Sequence, residues 1–193
     1  MGRRPGARRS GEAGGRKAAA ALLLLALSLA ALAAGPYVKG LSWRYQESHL
    51  CVSFGVGDAL NRPDLKEAIL STRPVTLTFT VEVQRHRTLW KNKTIARKTL
   101  SHTVRYDTLT RQYTLETVVD DVATDQRVVD SWEEMQQYME NVQDLRVTSV
   151  ANLEPSEGGY TVRARALVQT DFVLFIIPWD VETPWVSQTL STP

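Results

Sequence analysis

The sequence predicts a mainly β (α+β) fold: an antiparallel β-sandwich or open barrel with two short helices, preceded by an N-terminal hydrophobic helix. Three observations predict it. Apolar and polar residues alternate in successive short segments after residue 40, most clearly over 75–84. Short polar turns join those segments, and only two stretches carry helical spacing. The first 34 residues differ in kind from all the rest.

Residues 1–34 read as a targeting segment. Ala18 to Ala34 is a run of 17 residues without a charge: nine Ala, seven Leu and Ser28. A basic, Gly-rich stretch precedes it, so the run partitions into a bilayer as a helix with its basic flank on the cytoplasmic side. Its length exceeds a usual signal core and stands at the lower limit of a membrane span. Ala31-Leu32-Ala33 offers a cleavage site, and Gly35-Pro36 ends the helix. The expectation is a signal peptide or signal anchor over 1–34, then a single mostly-β envelope domain over 35–193. The only cysteine, Cys51, lies too far on for a lipid anchor and reads as a small buried apolar residue.

The elements follow in order. Leu41–Tyr45 and Leu50–Val56 are short strands. Asn61-Arg62-Pro63-Asp64 opens a helix, with proline near its first turn and Leu65, Ala68 and Ile69 on one side. In Val75–Gln84, Val75, Leu77, Phe79, Val81 and Val83 alternate with Thr76, Thr78, Thr80, Glu82 and Gln84, which predicts one core face and one that is wet or lightly covered. Trp90-Lys91-Asn92-Lys93 is a turn, Thr94–Tyr106 a strand, Asp107-Thr108 a turn and Gln112–Val119 a strand. Asp120–Thr124 reads as a polar loop and Arg127–Val129 as a short strand. Ser131 with Glu134 forms a capping box for a helix running to about Asn141. Trp132, Met135 and Met139 face the core from that helix. Leu145–Leu153 and Tyr160–Gln169 read as a hairpin around Pro155 and Gly158-Gly159. Phe172–Ile177 is apolar without alternation, and a tail with Trp179 and Trp185 follows.

Several of these segments resemble a bacterial family of exported proteins known as domain of unknown function 4390. The resemblance rests on Leu65…Ala68-Ile69-Leu70…Arg73-Pro74-Val75-Thr76-Leu77-Thr78-Phe79, on Val104–Tyr113 with its Tyr-Asp…Leu-Thr-Arg-Gln-Tyr core, and on Gly159–Ala166 with the Trp179 and Trp185 tail. Together they span about residues 38–190. The resemblance implies an N-terminal membrane segment and an envelope location. It brings no activity, cofactor or site residue.

No motif names a reaction. Gly55-Val56-Gly57-Asp58-Ala59-Leu60 begins like a dinucleotide fingerprint, but Leu60 stands where the third glycine belongs and no βαβ unit follows. His49, His86 and His102 lack metal-ligand spacing. Asp120, Asp121, Asp125 and Asp130 do not match an EF-hand loop. No cofactor, metal ligand or catalytic residue is expected.

Charge layout is the informative remainder. Of 23 basic and 21 acidic residues, six and one lie in 1–34, so 17 and 20 follow, a net charge of −3. That balance gives no reason to expect nucleic-acid binding. Residues 85–111 hold eight cations (Arg85, Arg87, Lys91, Lys93, Arg97, Lys98, Arg105 and Arg111) and one acid, Asp107. Residues 116–144 hold nine acids and one base. Facing each other, the two segments would be an internal electrostatic match; on different faces, the basic set reads as an interaction surface for anionic lipid headgroups or an acidic protein of the envelope or membrane, with membrane contact through 18–34 if that segment is uncleaved. Phe172, Phe175, Trp179 and Trp185 are a candidate apolar patch. The expected function is a non-enzymatic envelope protein-binding module, located in the periplasm or cell envelope and anchored to the inner membrane if 18–34 is retained. The alternative is a carrier or sensor of an apolar ligand or lipid.

Overall fold

The computed structural model describes residues 35–154, 158–170 and 181–191. The expected hydrophobic helix over 18–34 lies outside the described residues, as do the apolar run 172–177 and Trp179. Among the described residues no helix is long and apolar enough to cross a membrane.

The chain runs β1 (Tyr37–Gln46), β2 (His49–Gly57), α1 (Pro63–Leu70), β3 (Val75–Arg85), β4 (Lys93–Asp107), β5 (Gln112–Val119), β6 (Val122–Val129), α2 (Trp132–Glu140), β7 (Asn141–Ser149), β8 (Tyr160–Thr170), β9 (Val181–Glu182) and β10 (Val186–Leu190). It is mainly β, with two helices and antiparallel sheets that do not close into a barrel. The smaller sheet has the order β1-β2-β7. The larger has the order β10-β8-β3-β4-β5-β6, with β9 beside β8.

Alternation on β3 builds the core. Val75, Leu77, Phe79, Val81 and Val83 are fully buried, and Val162, Ala164, Ala166 and Val168 of β8 lie beside them. Phe79 meets Phe54 of β2 edge-on, ring centroids 5.7 Å apart, so both sheets share one apolar cluster. On one flank the sheets are tied through β1. The Trp43 indole donates to the Thr189 carbonyl at 3.1 Å and the Tyr45 hydroxyl to that of Ser191 at 3.0 Å. On the other flank α2 stands between β7 and the β4–β6 strands. Its N-terminus is capped as expected, Ser131 accepting from the Glu134 amide at 3.1 Å. Met135 and Met139 are buried, as are Leu65, Ala68 and Ile69 of α1. Cys51 is buried too, and burial pushes its thiol up in pKa.

Three expectations need correction. The polar loop over 120–124 is a tight turn: Asp120 and Asp121 both take positive φ (46° and 68°) and connect β5 directly to β6. Short polar side chains tolerate that backbone, so two aspartates serve where Asn-Gly would be the usual sign. β6 is therefore eight residues long, not three. The expected hairpin of 145–153 with 160–169 does not form. β7 pairs with β2, and β8 pairs with β3 over its whole length, so the connection between them crosses from one sheet to the other. Each strand has ordinary local patterning, and only the long free edge of β3 decides where β8 goes. Finally, the tail contributes two further strands, β9 and β10, to the larger sheet.

Candidate functional site

β3 and β4 pair from Val75↔Val104 to Arg85↔Lys93, leaving residues 86–92 as a projecting turn. Leu89 is 88% exposed there and Trp90 78%. Arg87, Lys91 and Lys93 surround them, exposed, and none of the three forms an ion pair with an acid among the described residues. The base of the turn is held firmly. The His86 amide donates to the Gly159 carbonyl at 3.1 Å, and Gly159 sits in the left-handed region (φ 69°) that glycine favours. The His86 ring meets the Thr161 hydroxyl.

The structure divides the eight cations of 85–111. Arg105 and Arg111 lie by the β4–β5 turn, at the opposite end of β4, roughly 40 Å from Lys93 along the strand. That turn is a structural corner. Asp107 accepts from the amides of Leu109 (2.8 Å) and Thr110 (3.3 Å), and the rings of Tyr106 and Tyr113 lie 4.8 Å apart. Arg97, Lys98 and Arg85 are paired. Arg97 and Arg163 both bind Glu82, whose side chain has no exposed surface. Burial raises the Glu82 carboxyl, but the two guanidiniums outweigh it and hold it below the usual range. Lys98 meets Asp120 at 2.5 Å, and Arg85 meets Glu154 at 3.3 Å. Trp185 lies over Arg163 and Arg165, 4.1 and 4.7 Å from their guanidinium carbons, so it covers the Glu82 cluster. Phe172, Phe175 and Trp179, the other members of the expected apolar patch, lie outside the described residues.

An open groove of about 930 Å³ lies between α2 and β7 on one side and β4, β5 and β6 on the other. Leu100, Val119, Val142 and Leu145 supply its apolar lining. A polar chain also runs through it. The Thr117 and Tyr138 hydroxyls meet at 2.5 Å, Tyr138 donates to Asp125 at 3.3 Å, and Asp125 binds Arg127 at 2.7 Å. Arg127 stacks on the Tyr138 ring. His102 is buried beside Tyr138, ring centroids 4.9 Å apart, and its Nδ1 donates to the Met139 carbonyl. That carbonyl belongs to the last turn of α2, where no helical amide follows to donate to it. Burial lowers the His102 pKa and raises that of Tyr138, while Arg127 lowers that of Asp125. These groups satisfy one another, and His102 is held by backbone groups at the end of α2. The cluster therefore fastens α2 to the larger sheet. It does not present a nucleophile to a base.

His49 bonds the Glu47 carbonyl, so each histidine serves its own neighbourhood. No group of three or more His, Cys, Asp or Glu side chains that could hold a metal occurs among the described residues. Sequence reasoning missed Glu82 as the hub of two arginines, Tyr138 as the clamp on α2, and Leu89 beside Trp90. Only the last had a local sign: two large apolar residues inside a turn rich in cations.

Fold and surface together define a β-rich, two-sheet domain that projects a basic, aromatic hairpin tip and carries a self-satisfied polar groove. A family model described as a domain of unknown function (DUF4390) matches residues 33–189, and the chain belongs to that family. Comparison with curated proteins and with solved structures finds no match.

Proposed function

We propose that this domain is a non-enzymatic binding module of the cell envelope, exported or tethered by residues 18–34, that engages another envelope protein through the β3–β4 tip. One observation carries the reading. Leu89 and Trp90 are left in water among Arg87, Lys91 and Lys93, which have no acidic partner among the described residues. Full burial of each apolar side chain offers roughly 1.5–3 kcal/mol before the costs of association. Tryptophan and arginine are also the residue types that anchor interfaces. The complementary surface is an apolar pocket rimmed by carboxylates. Arg97 and Lys98 are excluded from it, since reversing either would break its pair with Glu82 or Asp120.

The test is crosslinking of the full chain in intact cells, then affinity recovery with mass spectrometry of proteins and lipids. A single stoichiometric protein is expected, lost with Trp90→Ala and with Lys91→Glu/Lys93→Glu. It is expected to remain with Arg105→Glu/Arg111→Glu at the far end. Recovery unchanged by the tip variants overturns the proposal. Retained lipid without protein favours instead a carrier of apolar ligands, for which the apolar lining of the groove is the one supporting observation.

A further inference from the structure

We propose that β6 is a self-association edge, along which two copies of the chain pair antiparallel with Gln126 on the two-fold axis. β6 ends the larger sheet and hydrogen-bonds only β5, so its outer row of amides and carbonyls has no strand beside it among the described residues. Such an edge is a template for another strand. It also exposes apolar surface, Val122 at 62% and Val128 at 57%.

Edge strands are commonly blunted by bulges and by charge, and β6 has both. The bulge lies at Thr124, between the pairs Thr117↔Asp125 and Val118↔Ala123, and leaves Asp125–Val129 regular. The charges select a register. In a continuous antiparallel sheet, facing side chains lie on the same face, so the two-fold axis passes through a residue. An axis at Asp125 opposes two carboxylates, and one at Arg127 opposes two guanidiniums. Both are destabilising. An axis at Gln126 sets Asp125 against Arg127 of the second copy, twice, within the regular stretch. The charges that guard this edge against other strands thus fit it to its own copy. Arg127 need not leave Asp125 or the Tyr138 ring, because a guanidinium has five donors. The arrangement is isologous and closes as a dimer.

An edge of eight residues is small beside the roughly 1,000 Å² of a stable interface, so the association is weak and is best trapped covalently. The experiment uses the full chain with Gln126→Cys, oxidised with copper phenanthroline in membranes and extracts of expressing cells and read on non-reducing gels. The one native thiol, Cys51, is buried. The expected result is a disulfide-linked dimer with Gln126→Cys, and little with Val128→Cys. In the Gln126→Cys background, Asp125→Arg and Arg127→Asp each abolish the dimer, and the two together restore it. Because the double reversal also rebuilds the pair within each chain, the two single variants are also coexpressed: a mixed dimer, complementary across the axis while both internal pairs stay broken, shows that the single variants did not fail merely by unfolding. Equal crosslinking at positions 126 and 128, no crosslinking at 126, or no rescue by the double reversal overturns the proposal. These residues lie on the edge strand β6, remote from the 86–92 tip in sequence, so this result and the partner experiment stand or fall separately.

Discussion

Replacing Glu82 by glutamine removes the one negative charge that joins β3, β4 and β8. In the folded chain its two oxygens are divided between Arg97 and Arg163, each held through two nitrogens. Removing one partner of a buried ion pair typically costs about 3–5 kcal/mol. Two features reduce that here. Arg97 is 64% exposed and regains water, and Arg163 keeps its place over Trp185. Glutamine also retains the shape and part of the hydrogen bonding. We expect a loss of roughly 3 kcal/mol, or about 6–12 °C in Tm for a domain of this size. Arg163→Gln should cost less, roughly 2 kcal/mol, and Arg97→Gln about 1 kcal/mol or under. The pH dependence follows from the lowered pKa. The unfolded carboxyl, near 4.3, takes its proton before the folded one does, so the stabilisation is complete above that value and is lost as pH falls through the folded pKa. Urea unfolding at pH 7 and pH 3 measures both. An Arg97→Gln cost equal to that of Glu82→Gln would refute the reasoning, as would an unchanged acid limb in Glu82→Gln.

His102 acts with the same sign on the pH axis, in a higher window. Its folded pKa is lowered by burial, so the unfolded chain protonates first, near 6.5, and stability falls as pH drops below that value by at most about 1.4 kcal/mol per unit. His102→Asn should remove that part of the slope between pH 7 and 5, as measured by urea midpoints against the parent. Tyr138→Phe should cost roughly 1–2 kcal/mol by freeing Thr117 and Asp125, and should speed amide exchange in α2 more than in β3. Trp90→Ala should leave the unfolding midpoint within about 0.5 kcal/mol of the parent, because its side chain buries little; a larger loss would show that the tip supports the fold.

Much of the fold was legible because it depends on neighbours in sequence. The alternation of β3, the span of β5 and the Ser131 cap on Glu134 are local signals, and each element forms where they place it. β6 was hidden for an equally local reason: five consecutive residues from Ala123 to Arg127 offer no apolar face, and its turn uses Asp-Asp. The partners of β7 and β8 were not legible, since pairing is settled by which edge is free once the core has formed. The same limit hid Glu82. Its register against Arg97 and Arg163 puts three residues together that lie 15 and 81 positions apart. The expected basic surface ran along the chain, but the 15-residue β4 separates its ends, and pairing removes Arg85, Arg97 and Lys98 from the free set.

The position of the Glu82 cluster bears on how the tip would bind. β3 has β4 on one side and β8 on the other, so the hairpin rises from interior strands of the larger sheet. Glu82 joins those three strands three residues before β3 ends at Arg85, and His86 bonds across to Gly159 and Thr161 at the foot of the turn. A tip held this way loses little freedom on docking, and ordering side chains and loops is a main cost of association. Glu82→Gln should therefore weaken partner capture even though Glu82 is buried beneath the sheet surface. The loss should appear at temperatures where the variant is still fully folded. Capture equal to the parent's under those conditions would mean that the tip keeps its shape without the cluster, and that Leu89, Trp90 and the three cations carry binding by themselves.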